Sequence, residues 1–486
     1  MQLEDSLLRI ANRGGGILLA LLAAFSVVPP VHADIVSAYN DYKKGDYAHA
    51  FQEYLALAQL GQPLAQFDVA TMYHAGQGTP LNDTDAYAWA TLAAANGEAR
   101  GKALADALRP NLPAGAEQAA AAVTLDYTDA ALQRDLLPDQ SAVRPPGWPF
   151  TPLDPQIACI RTQVHMDVED YARTRVQGTL IVEFTLMADG MPRFPRIVQA
   201  VPAGVFEGVA KTILLRSRFS TAPAGSAPVQ CFLPYNFIFT NFTQDSIGDF
   251  AAELGYRRNL PEIAQAGDPY AQLVYGLLLD GLPLKHGDVS LQKGGLPWLV
   301  KAAQAGLPVA QYEVGHRLLM GRECWRDDAK GLKWIRLAAE QGEPTADVTL
   351  ATRLLRGTPS AANVAQAKEW LERGAATGND TRIPSGSDDA RLLLAALLAA
   401  TTEASLRDPP RALDLLNRVQ DVDQDPTPYD IRAAAQAAQG DFSHAVRSEQ
   451  TAISRATKLG WDLAPLQQRL SLYQSSKPWY GSLLEF

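Results

Sequence analysis

The sequence has no excess of basic residues. Its 43 lysines and arginines are outnumbered by 53 aspartates and glutamates, and the formal net charge is −10. Nucleic acids and anionic membrane surfaces select proteins with basic patches, because these partners are themselves strongly negative. The composition therefore disfavours both as partners. With 486 residues, the chain is long enough for about two to four domains, each with a core of its own.

Catalytic and cofactor-binding motifs are also missing. None of the seven histidines stands at the spacing of a metal-binding pair, and no H-E-x-x-H, G-x-S-x-G or G-K-[ST] pattern occurs. We therefore predict no catalytic residue, no cofactor and no metal site, and a protein that is not an enzyme. An enzyme with an unrecognised site stays open as an alternative.

Long apolar runs are scarce as well. The run near the N-terminus, Ile17 to Val28, follows two arginines and has about a dozen residues, whereas a membrane-spanning helix needs about 20. Short side chains precede Asp34, where a signal peptidase reads them. We predict a signal peptide over residues 1–33, cleaved after Ala33, and a periplasmic protein without an integral membrane span. The alternative is an uncleaved inner-membrane anchor with the chain facing the periplasm.

Cysteine is rare, with three residues in the chain. An exported protein meets an oxidising compartment, in which disulfides persist. Cys159 and Cys231 bracket a β-rich stretch and are candidates for a disulfide, which would leave Cys324 unpaired. Three unpaired cysteines are the alternative.

What the chain does contain is a repeat. Four stretches begin with glycine and have proline two residues later and alanine two residues after that; they start at Gly61, Gly267, Gly306 and Gly342. The spacing from Gly306 to Gly342 is 36 residues, and so is the spacing from Gly61 to Gly97. Glycine ends a helix at positive φ, and proline is tolerated in the first turn of the next helix. Each stretch therefore predicts a junction between two helices.

Each repeat also carries a tryptophan in its second helix. Eight residues before the terminal glycine stand Trp89, Trp298, Trp334 and Trp370, four of the eight tryptophans in the chain. A large side chain at a fixed position among small ones is typical of the interface between stacked helices. We predict that these rings pack in the core and bind no ligand.

The motifs A-Q-x-x-L/V-G, W-x-x-x-A-A and A-x-x-G resemble those of the Sel1-like repeat family, a relative of the tetratricopeptide repeat. The resemblance implies a mostly α-helical fold, an α-solenoid built from helical hairpins. It places Sel1-like repeats at residues 34–136 and 244–400. Residues 401–486 resemble tetratricopeptide repeats followed by a capping helix.

One stretch breaks the helical pattern. From Leu180 to Leu186 apolar residues alternate with polar ones, among them Glu183 and Thr185, as in a strand with one buried face. Asp189-Gly190 predicts a hairpin turn. The residues after it predict a return strand, a helix and a last strand, at 196–199, 206–215 and 229–239.

The stretches Gly178 to Phe184, Asp189-Gly190 and Phe206 to Ala210 resemble the C-terminal domain of TonB-type energy transducers. We assign this small α+β domain to residues 156–243, after a proline-rich linker over residues 137–155. The resemblance implies a sheet edge that accepts a peptide strand. The candidate binding residues lie in the last strand: Val229, Gln230, Phe232, Tyr235, Phe237 and Phe239.

These features together predict an exported, non-enzymatic scaffold. It would bind protein or peptide partners in the bacterial envelope, outer-membrane proteins among them, through the solenoid faces and the sheet edge. The alternative is a TonB-like energy transducer that contacts an outer-membrane receptor. Such a protein needs a membrane anchor and a long spacer before a C-terminal domain, whereas the domain here lies in the middle of the chain.

Overall fold

The computed structural model describes residues 33–140, 161–163, 178–201, 204–220, 228–237, 259–281, 294–376, 387–419 and 425–484. Most of these residues are helical, and a three-stranded sheet lies between two helical segments of the chain. The helices and the sheet belong to one compact unit. The predicted architecture of helical repeats with a small sheet is confirmed at this level.

The N-terminal segment is a series of short antiparallel helices. They are α1 (Ile35–Lys44), α2 (Tyr47–Gln59), α3 (Pro63–Ala75), α4 (Asp83–Ala95), α5 (Ala99–Leu108), α6 (Ala116–Val123) and α7 (Asp129–Asp135). The first of them begins after Asp34, whose carboxylate accepts hydrogen bonds from two backbone amides of the first turn, both at 2.9 Å. Such a cap satisfies donors that a helix N-terminus otherwise leaves unpaired.

The middle of the chain forms the sheet and one helix. The elements are β1 (Arg161–Gln163), β2 (Gly178–Leu186), β3 (Pro192–Val201), α8 (Glu207–Arg216), β4 (Arg218–Phe219) and β5 (Val229–Phe237). The main sheet has the order β3–β2–β5, and both pairs are antiparallel; β1 pairs separately with β4. The predicted hairpin, return strand and helix are therefore present.

The second helical segment follows the sheet. It contains α9 (Leu260–Gln265), α10 (Pro269–Gly281), α11 (Gly295–Gln304), α12 (Pro308–Met320), α13 (Asp328–Glu340), α14 (Pro344–Leu355) and α15 (Ala361–Ala376). The C-terminal part adds α16 (Ser387–Ala400), α17 (Pro409–Leu416), α18 (Thr427–Ala438), α19 (Phe442–Leu459) and α20 (Ala464–Gln474). None of the described helices is both long and apolar enough to cross a membrane.

The junctions have the predicted geometry. Gly306 takes a φ of 94°, a conformation that other residues rarely adopt. It also lies against the backbone of Ala33 and Asp34, where a Cβ atom would collide. Pro308 begins the next helix. Proline is tolerated there because the backbone N–H groups of the first turn have no partner within the helix, so the N–H that proline lacks is not missed.

A glutamine ties successive hairpins together. Gln66, Gln272 and Gln311 stand five residues after the glycine of their repeats. Each is buried, and each Nε2 donates to a backbone carbonyl of the preceding helix over 3.1–3.3 Å. One side chain type at one position thus sets how adjacent hairpins stack.

The fourth repeat departs from this rule. It has Asp347 at the glutamine position, and an ionised carboxylate cannot donate. Arg373 donates to the Ala339 carbonyl instead, and its Nε lies 3.9 Å from the Asp347 carboxylate. Both oxygens of Asp347 are buried without a hydrogen-bond partner, and burial raises the pKa of Asp347 to about 7. This repeat therefore buries a carboxyl group that is only partly ionised at neutral pH.

The N-terminal segment packs directly on the second helical segment. The amide of Ile35 donates to the Ala305 carbonyl at 3.1 Å, and the Gln304 side chain donates to the Leu60 carbonyl at 2.8 Å. A single hydrophobic core joins residues of α7 to residues of α9–α13. Leu137, the first residue of the predicted linker, is buried in this core. From residue 141 the predicted linker lies outside the described residues, and its bounds stay a prediction.

The repeat tryptophans divide into two groups. Trp89 and Trp334 are buried, with 2% and 0% of their surface exposed, as expected for core residues. Trp298 and Trp370 are half-buried, and each ring lies 4.7 Å from the charged end of a lysine or arginine one turn later, Lys301 and Arg373. Core packing is thus confirmed for the first two. The other two lie at the border of the core, covered by a cation.

One face of the sheet packs on α8. The apolar residues of β2 that were predicted to share a face do so, and they form a core with residues of β3, β5 and α8: Leu180, Val182, Phe184, Leu186, Ile197, Cys231, Ala210, Ile213 and Leu214. Cys231 is disulfide-bonded and Cys324 is free. The predicted partner, Cys159, lies outside the described residues.

The other face of the sheet is also covered. Ile181 and Val198 join a second core with residues of α12, α13 and α14. Every residue of β2 is buried, including Glu183 and Thr185, which the alternating pattern had assigned to an open face. That expectation is wrong, because the polar face of the sheet packs on the helical repeats. Whether residues 156–243 fold alone stays a prediction.

Candidate functional site

The predicted binding residues lie on a strand at one end of the sheet. β5 runs antiparallel to β2, from the pair Val229 and Leu186 to the pair Phe237 and Gly178. In the sheet order of the described strands, β5 has β2 on one side. The strand holds five of the six candidates, and the sixth, Phe239, lies outside the described residues.

The side chains of β5 are already engaged within the protein. Val229 packs against the core on the α8 side of the sheet, and Gln230 donates to the Thr185 hydroxyl at 2.9 Å. Phe232 points to the opposite face, where its ring meets the His316 ring edge-on at 4.9 Å. What this strand offers to a partner is therefore its backbone edge rather than these three side chains.

His316 stands at the centre of the contact between sheet and repeats. Its ring stacks on Tyr312 at 5.6 Å, and its Nε2 is buried without a hydrogen-bond partner. Burial holds the pKa of His316 well below its usual value, and the nearby Arg322, Arg196 and Arg317 lower this pKa further. His316 is therefore neutral at physiological pH, and protonation would place a charge in a buried, already basic site.

A buried ion pair lies on the same face of the sheet. The guanidinium of Arg196 on β3 donates to the carboxylate of Glu183 on β2, and both residues are at most 9% exposed. One further nitrogen of Arg196, Nη1, is buried without a partner. Arg322, in the loop after α12, donates to the Gln199 side chain over 3.0 Å. Directional polar contacts thus join this face to the repeats.

The hairpin turn of the sheet contacts the C-terminal helices. The Arg193 guanidinium lies over the Trp461 ring at 3.6 Å from its centre, within the range of a cation–π interaction. The Asp462 amide donates to the Asp189 carboxylate at 3.4 Å. On the helical side of the sheet, Lys211 of α8 pairs with Asp389 of α16 at 3.0 Å. The C-terminal helices therefore help to hold the sheet in place.

A second candidate group of side chains lies in the first hairpin, between α1 and α2. The carboxylates of Asp41 and Glu53 and the ring of His49 each offer one ligand atom, and these atoms all lie within 4.8 Å of one another. His49 Nδ1 is 2.5 Å from Asp41 Oδ2, and this hydrogen bond raises the pKa of His49. Burial raises the pKa of Glu53.

Sequence reasoning missed this group because its members come from two helices. His49 and Glu53 are four residues apart, which places them on one face of α2, while Asp41 is supplied by α1. The H-E-x-x-H pattern requires two histidines on one helix, whereas this group contains one histidine. The spacing of one histidine and one carboxylate on α2 indicates this pair, but not the third residue, which another helix supplies.

Comparison with known proteins identifies the repeats. The Sel1 repeat matches residues 63–98, 308–343 and 350–379. The first stretch is the α3–α4 hairpin and the second is the α12–α13 hairpin, in agreement with the predicted units. No curated protein matches the chain.

Two solved structures show a distant likeness. One is a protective antigen of uropathogenic Escherichia coli with an SLR fold, 15% identical, with 91% of this chain and 64% of that chain covered and a TM-score of 0.33. This chain thus spans less than two thirds of the antigen. The other is a Sel1 repeat protein from Oxalobacter formigenes, 19% identical, with 47% of this chain and 90% of that chain covered and a TM-score of 0.31. The three matched stretches are the stronger result, and they show that the chain contains Sel1 repeats at those residues.

Proposed function

We propose that the protein is an exported, non-enzymatic scaffold that binds protein or peptide partners in the bacterial envelope. Sel1 repeats commonly mediate protein–protein interaction. Stacked hairpins suit this role, because they extend a surface without requiring a catalytic pocket. The proposal rests on this repeat architecture.

Within the sheet, the outer edge of β5 is the surface proposed to bind a partner strand. Both faces of the sheet are covered, one by α8 and the other by the repeats. A sheet whose faces are buried can still bind through main-chain hydrogen bonds at its end strand. The likeness to the C-terminal domain of TonB-type transducers supports the same mode of binding. We carry over this mode of binding and not the energy coupling.

Export is the second part of the proposal. It is supported by the short apolar run at Ile17 to Val28 and by the small residues before Asp34. Expression of the full chain in a Gram-negative host, followed by N-terminal sequencing, tests it. A protein that begins at Asp34 in the periplasmic fraction is expected. Retention of residues 1–33 would favour the anchored alternative and a transducer-like role.

Site-specific photo-crosslinking tests the binding surface. A photoreactive residue at Pro228, directly before Val229, places the probe at the start of β5, and one at Lys102 on α5 is the control, since its side chain is 73% exposed. We expect one discrete adduct from position 228 in envelope preparations and none from position 102. Hydrogen exchange with the purified partner should then protect β5 amides.

Two outcomes would contradict the proposal in different ways. Protection confined to the repeats would move the binding surface from β5 to the helical hairpins and retain the scaffold. A full chain that forms no complex with any envelope protein would remove the scaffold function itself.

A further inference from the structure

The first helical hairpin carries a group of side chains that neither the repeat architecture nor the proposed scaffold role requires. We propose that Asp41, His49 and Glu53 form a binding site for a single divalent transition-metal cation of the Zn²⁺ class. The three ligand atoms lie within 4.8 Å of one another, and each belongs to a separate side chain. The site connects α1 to α2 at the start of the described chain.

The geometry of the two helices places the ligands together. His49 and Glu53 project from one face of α2, one helical turn apart, and Asp41 faces them from the last turn of α1. Zn²⁺ binds nitrogen and carboxylate oxygen at about 2.0–2.2 Å. His49 Nδ1 and Asp41 Oδ2 are 2.5 Å apart, within hydrogen-bond distance, so a cation bound by both would move the two atoms slightly apart and displace any proton between them.

Glu53 is the independent sign that a ligand belongs here. The residue is only 1% exposed, yet its Oε2 has no hydrogen-bond partner. A buried carboxylate oxygen without a donor or a cation is unfavourable. A metal ion within reach of His49 and Asp41 supplies the missing partner.

Neighbouring side chains already orient the ligands. The Ser37 hydroxyl donates to Glu53 Oε1 at 2.9 Å, which leaves Oε2 for the cation. The Lys44 ammonium bonds Asp41 Oδ1 at 2.8 Å, which leaves Oδ2 turned to His49. Such outer contacts fix the direction of metal ligands in known sites. The half-exposed ring of His49, with 48% of its side chain open to solvent, leaves a path for the ion.

The ligand set selects the class of cation. One imidazole and two carboxylates suit Zn²⁺ and related transition metals. Ca²⁺ and Mg²⁺ instead prefer a coordination shell of about six or more oxygen ligands. Three protein ligands leave a fourth position for water in a tetrahedral site. The two negative charges also compensate the charge of a divalent ion.

Two other histidines provide matched controls. His74 pairs with Asp83, and His444 pairs with Asp441, each at 2.7 Å and each exposed. Among the described residues, neither pair is part of a three-residue group that could hold an ion. Within the part of the chain that the structure describes, a histidine–aspartate pair is thus present three times, while a third, buried ligand is present only beside His49.

Calorimetric titration of the metal-free full chain with Zn²⁺ tests the proposal. We expect one Zn²⁺ per chain, and binding weakened by at least about tenfold in His49→Ala and in Glu53→Gln, as for lost metal contacts. His74→Ala and His444→Ala should bind like the unchanged protein. Circular dichroism of each metal-free variant checks that it is folded; if His49→Ala is not, His49→Gln takes its place. Co²⁺ should give the visible absorption of a four-coordinate ion, lost in Glu53→Gln.

Several results would overturn the proposal. They are a full chain that binds no Zn²⁺, a stoichiometric site that survives in folded His49 and Glu53 variants, and equal weakening by His74→Ala. None of these bears on the scaffold function, because the crosslinking probes on β5 and on α5 report separately from this hairpin.

Discussion

The indole Nε1 of Trp334 donates a hydrogen bond to the backbone carbonyl of Leu136 at 2.9 Å, and the two residues are 198 positions apart in the chain. Trp334 belongs to α13 of the second helical segment, whereas Leu136 directly follows α7 of the first. The whole sheet lies between them in the sequence. This bond therefore joins the two helical segments and makes a core tryptophan part of their contact.

Trp334→Ala should strongly destabilise this contact. The ring is completely buried, and removal of a buried aromatic side chain costs about 3–5 kcal/mol in the free energy of unfolding. Trp334→Phe keeps most of the volume but leaves the Leu136 carbonyl without its donor, at a cost of about 1–3 kcal/mol. Urea unfolding followed by circular dichroism measures both values.

Trp298→Ala is the control for the two Trp334 variants. Trp298 is half-buried, so its loss should lower the free energy of unfolding less than Trp334→Ala does. Hydrogen exchange of Trp334→Ala should be faster in both α7 and α13. Faster exchange in α13 alone would mean that the first segment docks without this residue.

Because His316 is buried and its pKa is lowered, we expect the free energy of unfolding to fall in mild acid. The unfolded chain has an ordinary histidine pKa of 6.5, while burial keeps the folded pKa well below that. The unfolded state therefore takes up the proton first, so the stability present above pH 6.5 is lost as the pH falls towards the folded pKa, by up to about 1.4 kcal/mol per pH unit. Thermal unfolding of the unchanged protein and of His316→Phe from pH 8 to pH 5 measures this.

The phenylalanine variant keeps a ring between Phe232 and Tyr312 but cannot titrate. Its advantage over the unchanged protein should grow below about pH 6.5. Parallel curves for the two proteins would show that His316 takes up a proton equally well in the folded state.

Asp347 predicts the opposite dependence on pH. Burial raises its folded pKa from 3.8 to about 7, so its contribution to stability is complete below 3.8 and is lost as the pH rises through the folded pKa. Asp347→Gln restores the residue found at this position in three other repeats. At pH 8 the variant should be more stable by about 2–4 kcal/mol, and at pH 4 this gain should largely vanish.

Differential scanning calorimetry at both pH values measures this gain, and Gln311→Asp is the reciprocal variant. It should lose stability at pH 8, because its carboxylate would face the Ala303 carbonyl. An Asp347→Gln protein that is less stable than the unchanged one at pH 8 would show that Asp347 is ionised and paired with Arg373.

The ion pair of Glu183 and Arg196 predicts non-additive effects. Glu183→Leu alone leaves a buried guanidinium without its partner and should cost about 3–5 kcal/mol, whereas Glu183→Leu combined with Arg196→Leu should recover most of the loss. Urea unfolding of the two single variants and the double variant closes the cycle. Additive losses would mean that the pair is not coupled in the folded protein.

Local patterns predicted the elements well. The helix expected at 206–215 is observed at Glu207–Arg216, and the strand expected at 229–239 is observed as far as Phe237. These segments were predictable because side-chain directions repeat about every 3.6 residues in a helix and about every 2 residues in a strand. Apolar residues that share a buried face recur at the same period in the sequence. The repeat junctions were predictable because glycine and proline restrict the backbone locally.

The candidate sites were less predictable. The β5 residues could be named in advance, but not the contact of Phe232 with His316, since that contact joins the sheet to a helix of another repeat. Asp41, His49 and Glu53 come from two helices, and only the packing angle of those helices brings their ligand atoms within reach. The spacing of residues along one helix does not specify how a second helix packs against it.

By itself, the sequence determined the repeat, the position of the sheet in the chain and the registers of Trp89 and Trp334, because each depends on neighbours a few residues away. Only the tertiary structure decided that Glu183 is buried. An isolated strand with a polar face is expected to turn that face to water. Here Arg196 neutralises the carboxylate and the repeats cover both side chains, so burial becomes favourable through partners that the strand's own pattern does not contain.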